Sequence, residues 1–425
     1  PHGALRLNVM GERGADHEEA TPSDIAAMAE LARQGIEAGA LGFSTSRTRN
    51  HKTSTGAYTP TLTAAPDELV GIAQGVGATG TGVLQVVSDF LDPDGEFAML
   101  RAMVATSGRP MSISIARNPM VPDAFRRLLD HISAANADGL VMTGQVAPRA
   151  VGLILGLECT LNPFLTNPVY REIADRTLAE KVAALRDPGF RQRLLSEAAE
   201  RSRDKLGGNL IGRFDLLFEM GDEPDYEPSL ESSIGAIAAR SGRSAEEVAL
   251  DAMLAEDGQG LLYLPFLNYV DGSLDGCHEM LVHPHTVPGL GDGGAHVGTI
   301  CDGSFPTTLL AYWGRDRDHD RIPHPFLVQR HCRDTARTVG LLDRGVIAPG
   351  YRADLNVVDF DRLRLHKPEI VHDLPANGRR LLQRADGWRH TIVAGHETYH
   401  DGVATDALPG RLVRGAQPAP SGGSR

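Results

Sequence analysis

The stretch Thr286-Val287-Pro288-Gly289-Leu290-Gly291-Asp292-Gly293-Gly294-Ala295-His296-Val297-Gly298 has the pattern of a buried strand that ends in a glycine-rich bend. Enzymes built on barrels of parallel strands carry their catalytic groups where the strands end, so Asp292 is the first candidate for chemistry. Glycines at 291, 293 and 294 tolerate unusual backbone angles and let a ligand approach closely. The alternative is an ordinary strand-to-helix turn in which Asp292 caps the next segment.

Strands and helices alternate along much of the chain. Short apolar runs are separated by segments with helical periodicity, a pattern that predicts a parallel sheet with crossover helices. One helix start is well marked, because Thr21-Pro22-Ser23-Asp24 combines a hydroxyl cap, a proline at the first helical position and an acid in the first turn. The runs expected to be strands are residues 5–10, 41–45, 83–87, 111–115, 141–146 and 261–264.

Length and composition bound the architecture. The 425 residues exceed one ordinary core, and a hydrophobic content of 41% with 23% charged residues is typical of a folded globular chain. We expect a barrel over residues 1–342 with a helical insertion at about 164–234, followed by a small β domain portion over 343–408 with strands at 391–393 and around 398–399. Residues 409–425, rich in Pro, Gly and Ser, are expected to form a flexible tail.

Charge and hydropathy exclude several classes of partner. A formal net charge of -13, with scattered Lys and Arg, argues against nucleic acid. Because no apolar run approaches bilayer length and no signal segment opens the chain, we expect a cytoplasmic protein with no membrane partner.

The cysteines Cys159, Cys277, Cys301 and Cys332 lie far apart, which favours buried thiols over disulfides or a zinc ribbon.

Four segments, taken in order, resemble the D-aminoacylase (N-acyl-D-amino-acid deacylase) family of the metal-dependent amidohydrolase superfamily. The resemblance covers nearly the whole chain. It implies an α/β fold, namely an incomplete (β/α)8 barrel of the TIM type with a small C-terminal β-sandwich portion, and hydrolysis of an amide bond with a divalent metal, expected to be zinc. The segments are residues 5–11 with the helix that follows Thr21, residues 39–46, residues 291–298 with Ser304-Phe305-Pro306, and residues 335–359.

This sequence departs from the family's pattern at its metal ligands. Members begin with sandwich strands, a barrel strand with a His-x-His metal pair and a strand with a ligand cysteine, and this sequence starts downstream of them, so we expect the chain alone to be inactive. Where the family's fifth strand usually offers a metal-binding histidine stands Ile115, which cannot bind a metal. On the next strand Gln145 offers only a weak oxygen ligand. A mononuclear site remains open, with Asp292 as a possible ligand and the others expected in the absent N-terminal part.

The resemblance and the strand ends together select further site residues. Asp292 would accept a proton from a metal-activated water and pass it to the leaving amine. His296, four residues later, could contact the same cavity, and His51 lies in the loop after a strand end. Arg47 and Arg149, both at strand ends, could clamp a substrate carboxylate, the alternative being surface salt bridges.

Three functions stay open from the sequence. The first is deacylation of a small-molecule N-acyl-D-amino acid, a linear amide. The second is a non-catalytic homologue that binds a small molecule or assembles with a partner, and the third is an amidohydrolase acting on a cyclic amide or a carbamate. An acid flanked by three glycines favours an enzyme. Because an incomplete barrel leaves strand edges unpaired, a homo-oligomer is also possible.

Overall fold

The protein is described by a computed structural model that covers residues 1–53, 56–197, 199, 208 and 210–421. The strands are β1 (Gly42–Arg47), β2 (Val83–Ser88), β3 (Met111–Ile115), β4 (Met142–Val146), β5 (Val151–Leu155), β6 (Phe218–Glu219), β7 (Leu262–Leu267), β8 (Thr286–Pro288), β9 (Leu355–Val358), β10 (Arg364–Leu365), β11 (Glu369–Leu374), β12 (Gly378–Leu382), β13 (Ala385–Asp386), β14 (Trp388–Val393), β15 (His396–His400) and β16 (Val403–Ala404).

The α-helices lie between these strands and are interrupted by short 3-10 and π turns. The α-helices are α1 (His2–Met10), α2 (Glu12–Ala15), α3 (Pro22–Glu37), α4 (Pro66–Gly77), α5 (Pro93–Ser107), α6 (Ala124–Ala137), α7 (Pro168–Arg171), α8 (Leu178–Arg186), α9 (Pro188–Ser196), α10 (Ile234–Ser241), α11 (Ala245–Gly258), α12 (Asp275–Val282), α13 (Phe305–Ala311), α14 (His324–Gln329) and α15 (Thr335–Thr338). The 3-10 turns are Leu210–Gly212, Phe214–Leu216, Leu230–Ser232, Asp302–Ser304, Phe360–Arg362 and Pro375–Asn377, and the π turns are Tyr312–Asp316 and Arg330–Asp334.

A five-stranded parallel sheet forms the centre of the fold. Its order is β1-β2-β3-β4-β8, so the first four strands follow one another in the sheet as they do in the chain. Helices connect these strands, as crossovers between parallel neighbours require. The incomplete barrel predicted from the sequence is confirmed, and the carboxyl ends of all five strands meet at one edge.

The two faces of the central sheet differ in chemistry. Paired residues of neighbouring strands share a face, and alternate residues along a strand point to opposite faces. One face is apolar and packed against the helices, and it carries Phe43, Leu84, Val86, Met111, Ile113, Ile115 and Met142. The other face, which we call the polar face, carries Ser44, Ser46, Gln85, Ser112, Ser114, Thr143 and Gln145 together with Val83, Val87 and Val287. Ser112, Val83 and Val287 are buried, and the others are half-buried.

Local signals place α3 correctly. The hydroxyl of Thr21 accepts the backbone N–H of Asp24 at 3.2 Å, and the carboxylate of Asp24 accepts the backbone N–H of Thr21 at 2.9 Å. This reciprocal capping satisfies two of the donors that a helix leaves unpaired at its start. The predicted cap is therefore confirmed.

Residues 5–10, predicted as a strand, instead belong to the helix α1. The prediction was wrong because apolar and polar residues alternate there as they would in a strand. In the structure the buried residues are His2, Arg6 and Met10, which lie about one turn apart on one helix face. Glu68 contacts both polar side chains, with His2 Nε2 2.7 Å from its Oε1 and Arg6 Nη1 2.5 Å from its Oε2.

A separate antiparallel sheet has the order β5-β7-β6. The strand predicted at 261–264 is present as part of β7, but it does not join the parallel sheet, because a short apolar run carries no signal for the direction of its neighbours. A second hydrophobic cluster surrounds this sheet and draws buried residues from Leu155 to Leu264. The insertion predicted at about 164–234 contributes the middle of this cluster, apart from residues that lie outside the described ranges.

The C-terminal part is rich in antiparallel strands. It contains a four-stranded sheet in the order β16-β15-β14-β9 and the two strand pairs β11–β12 and β10–β13. The strands predicted at 391–393 and 398–399 are confirmed within β14 and β15.

Among the residues that the structure describes, no helix is long and apolar enough to span a lipid bilayer. The expected cytoplasmic location and self-association stay predictions.

Candidate active site

The Asp292 loop, residues 289–300, continues β8 at the carboxyl end of the central sheet. Gly289 still donates its N–H to the carbonyl of Val146 at 2.8 Å, after which the chain turns away. The left-handed backbone angles fall on Leu290 (φ 63°) and His296 (φ 52°) and not on the glycines at 291, 293 and 294, which corrects the expectation of strained glycines. The side chain of Asp292 is exposed at this end of the sheet.

Asp302 holds the beginning of the Asp292 loop. Its Oδ2 accepts the backbone N–H of Asp292 at 3.1 Å, and its Oδ1 lies 3.4 Å from Nη2 of Arg149. Burial raises the pKa of Asp302, while the guanidinium of Arg149 opposes the rise and the carboxylate of Asp292 adds to it. Asp302 is absent from the residues that the sequence predicts. The signal was its place in Asp302-Gly303-Ser304 before α13, where a short acid can reach back to a loop backbone.

Arg149 lies beneath the same loop and is 3% exposed. Its guanidinium carbon is 3.9 Å from the centroid of the Tyr226 ring and 4.8 Å from that of Phe305. Its nitrogens donate to the hydroxyl of Ser304 and the carbonyl of Cys301, both at 2.9 Å. These contacts engage the guanidinium on several sides, so Arg149 anchors the segment that comes after the Asp292 loop. Its role as a clamp for a substrate carboxylate stays a prediction.

Gln145 lies on the polar face next to the start of the Asp292 loop. Its amide nitrogen donates to the hydroxyl of Ser112, and a Cβ placed on Gly289 would lie 3.5 Å from the Cβ of Gln145. Gln145 thus lies on β4, and Asp292 follows the neighbouring strand β8. Ile115, at the end of β3, is 1% exposed and points into the helix-covered face, where an apolar side chain belongs.

Arg47 and His51 lie at the opposite edge of the central sheet. Nη1 of Arg47 donates to the carbonyl of Ala64 at 2.8 Å, and Nδ1 of His51 lies 2.7 Å from the hydroxyl of Ser46. β1 is four strand positions away from β8, which corresponds to about 19 Å along the sheet at roughly 4.8 Å per strand. Arg47 and His51 thus follow an outer strand of the sheet and not the strands β4 and β8 that precede the Asp292 loop, and their contact with substrate stays a prediction.

The histidines near β8 lie at two different ends of the sheet. His296 is exposed within a run of turns, and its carbonyl accepts the N–H groups of Thr299 and Ile300. The segment is not an α-helix, so the four-residue spacing from Asp292 does not place the two side chains one above the other. His283 lies before β8, away from the carboxyl end, and its Nε2 is 3.1 Å from the hydroxyl of Ser133.

The four cysteines are unpaired thiols. Cys159, Cys277 and Cys301 are buried and free, but Cys332 is exposed, which corrects the expectation that all would be buried. It lies in the π turn Arg330–Asp334, at the surface. Burial raises the pKa of Cys301 to about 11, so this thiol beside the Asp292 loop stays protonated at neutral pH.

Among the described residues, those at the strand ends do not by themselves make up a set of metal ligands. Within the described parts of the chain, two groups of three His, Cys, Asp or Glu side chains converge closely enough to hold a metal ion, and neither includes Asp292. Zinc takes three or four such ligands. Asp292 supplies one carboxylate, and the neutral amide of Gln145 is a poor substitute for an imidazole. A metal here would need ligands from outside the described residues.

The sequence matches a family model and several curated proteins. The model, described as the amidohydrolase family, matches residues 1–399. The uncharacterized proteins Rv2913c of Mycobacterium tuberculosis (strain ATCC 25618 / H37Rv) and Mb2937c of Mycobacterium bovis are each 28% identical over 244 residues, which is 53% of this chain and 38% of theirs. The match therefore spans well under half the length of these relatives.

Solved structures share the fold at low sequence identity. A D-aminoacylase structure with a binuclear metal centre has a TM-score of 0.55 and 20% identity, and the match covers 98% of this chain and 69% of that chain. An N-acyl-D-glutamate deacylase from Bordetella bronchiseptica, complexed with zinc and a phosphonate inhibitor, has a TM-score of 0.54 and 21% identity, over 97% of this chain and 70% of that chain.

Proposed function

Because this chain belongs to the amidohydrolase family, we propose that it hydrolyses the linear amide bond of an N-acyl-D-amino acid, with Asp292 as the general acid and base. The observation that carries the proposal is the exposed carboxylate of Asp292 at the end of β8, on a loop whose start is held by Asp302. The likeness in fold to a D-aminoacylase and an N-acyl-D-glutamate deacylase supports this substrate class.

In the proposed reaction one carboxylate serves two steps. Asp292 accepts the proton of the attacking water and then gives it to the nitrogen of the leaving amine. The space beside the loop is open, since a Cβ on Gly294 would meet nothing within 4 Å. A divalent metal, which we propose to be zinc, would polarise the amide carbonyl when bound, and its remaining ligands would come from outside the described residues.

One observation favours a second candidate, a non-catalytic homologue that binds a small molecule. No three-ligand group in the described residues contains Asp292, and catalysis in a metal-dependent amidohydrolase requires a complete site. A hydrolase of cyclic amides or carbamates is the third candidate. The three candidate functions differ in which members of a defined panel of substrates the protein cleaves, and the binding homologue cleaves none.

The test is an assay of amine release by the protein expressed from its complete gene, with Zn²⁺ supplied, on N-acetyl-D-amino acids and their L isomers. We expect turnover of the D isomers, and we expect Asp292→Asn to lower kcat by about 10²- to 10⁴-fold. The control is Asp138→Asn. Asp138 is an exposed acid that precedes β4 at the amino end of the sheet and pairs with Arg101, so this variant should retain activity.

The other outcomes separate the candidates. Cleavage of hydantoins or carbamates in place of the linear amides would move the assignment to the third candidate. Retention of full turnover in Asp292→Asn would contradict the role of this carboxylate. A folded wild-type protein that cleaves no member of the panel would contradict the enzymatic proposal and leave the binding homologue.

A further inference from the structure

The hairpin formed by β14 and β15 carries a second group of potential metal ligands. His390 of β14 lies directly opposite His400 of β15, with ring centroids 4.8 Å apart, and Glu397 lies beside both. Among the three side chains, one ligand atom from each lies within 4.8 Å of the other two. This group belongs to the C-terminal sheet and takes no part in the reaction proposed for Asp292.

A β-bulge places Glu397 next to the two histidines. Thr391 pairs with Tyr399, whereas the next residue, Ile392, pairs with Glu397, so β15 has one extra residue at this point. In a regular strand, a residue three positions from His400 would point to the opposite face. The bulge shifts this alternation and turns Glu397 toward the face that carries the histidines, which is a known use of bulges near binding sites.

The three side chains converge on one point. Oε1 of Glu397 lies 2.6 Å from Nδ1 of His390 and 2.9 Å from Nδ1 of His400. Tetrahedral zinc with bonds of about 2.1 Å holds its ligand atoms about 3.4 Å apart, so each side chain needs only a small outward shift. The His400 side chain is 58% exposed, so it has room for this outward shift.

We propose that His390, Glu397 and His400 form a binding site for a divalent transition metal. Two imidazoles and one carboxylate are ligands that Zn²⁺ and Cu²⁺ accept, with a fourth position for water. The carboxylate of Asp401 lies 3.7 Å from Nε2 of His400, and Arg389 pairs with the same carboxylate at 3.0 Å, so the charge beside the site is balanced. A bound ion ties β14 to β15 and holds the bulge in place.

The test is calorimetric titration of the metal-stripped full chain with Zn²⁺. We expect the wild type to bind Zn²⁺ at this site, and His390→Ala, His400→Ala and Glu397→Gln each to weaken that binding by about tenfold or more. His396→Ala is the matched control, because His396 is an exposed histidine of the same strand outside the group. Asp292→Ala should leave this binding unchanged, which separates the site from the proposed catalytic function.

A spectroscopic measurement identifies the ligands directly. With one equivalent of Cu²⁺, the electron paramagnetic resonance spectrum should show coupling to two imidazole nitrogens, and the His390→Ala, His400→Ala double variant should lose it. The proposal is overturned if the wild type binds no Zn²⁺ at micromolar concentration. It is equally overturned if the double variant, folded by circular dichroism, binds Zn²⁺ as tightly as the wild type.

Discussion

The carboxylate of Asp302 accepts the backbone N–H of Asp292 at 3.1 Å. The candidate catalytic acid is thus held through its main chain, while its side chain stays exposed. Asp302 itself lies against Arg149, which is buried between the rings of Tyr226 and Phe305. The position of the loop and the chemistry at its tip therefore depend on different side chains.

Asp302→Ala should destabilise the protein without removing the candidate catalytic group. The substitution leaves the N–H of Asp292 without its partner and removes the negative charge next to the buried Arg149. We expect the free energy of unfolding, measured with urea, to fall by about 1–3 kcal/mol. Asp292→Asn retains the N–H and should stay within about 0.5 kcal/mol of the wild type. Equal stability of all three proteins would contradict this account.

Removal of the Glu68 carboxylate should lower the free energy of unfolding by more than Asp302→Ala does. Glu68→Ala leaves His2 and Arg6 buried without their shared acceptor, and breaking a buried ion pair in this way costs about 3–5 kcal/mol. Asp67→Asn, an exposed neighbour at the start of the same helix, is the control and should be close to neutral. The free energy of unfolding of both variants is measured with urea. A decrease below about 1 kcal/mol for Glu68→Ala would show that the helix α1 does not depend on this contact.

Two glycines of the Asp292 loop should differ in how much stability the same substitution removes. A Cβ on Gly298 would lie 2.3 Å from Oγ1 of Thr160, so Gly298→Ala should destabilise by about 1–3 kcal/mol. Gly294→Ala meets open space and should be nearly neutral. Since the clash is with the hydroxyl, addition of Thr160→Ala should restore much of the loss. Thermal unfolding of the single and double variants measures this, and a lack of rescue would place the strain elsewhere.

The start of α3 should contribute to stability above pH 4 and lose that contribution in acid. Hydrogen bonding by Arg13 and by the backbone and hydroxyl of Thr21 lowers the pKa of Asp24 from 3.8 to about 2. A carboxyl whose pKa is lower in the folded state stabilises that state above its unfolded pKa, and the contribution disappears as the pH falls toward 2. Thermal midpoints between pH 2 and 5 should therefore fall less steeply for Asp24→Asn than for the wild type, and parallel curves would contradict the assignment.

Elements with local signals could be predicted from the sequence, whereas contacts between distant segments could not. The strand Met111–Ile115 and the cap at Thr21 follow from residues within a few positions of each other. In the helix α1 the buried Arg6 pairs with Glu68, 62 residues away, and hydrophobic periodicity carries no information about a buried charge with a distant partner. The contact of Asp302 with Arg149 spans 153 residues and could not be predicted for the same reason, although the short sequence around Asp302 carries a signal for its bond to the loop backbone.

The polar face of the central sheet affects the heat capacity of unfolding, and through it the way stability changes with temperature. The heat capacity of unfolding rises with the apolar area that becomes wet and falls with the polar area. Ser112, Ser114 and Gln145 bring hydroxyl and amide groups to a surface that barrels usually fill with branched aliphatic side chains. The apolar part of the heat capacity of unfolding therefore comes mainly from the helix-covered face and the two hydrophobic clusters. We expect the stability curve of this fold to be flatter, with a weaker tendency toward cold denaturation, than that of a barrel whose interior is wholly aliphatic.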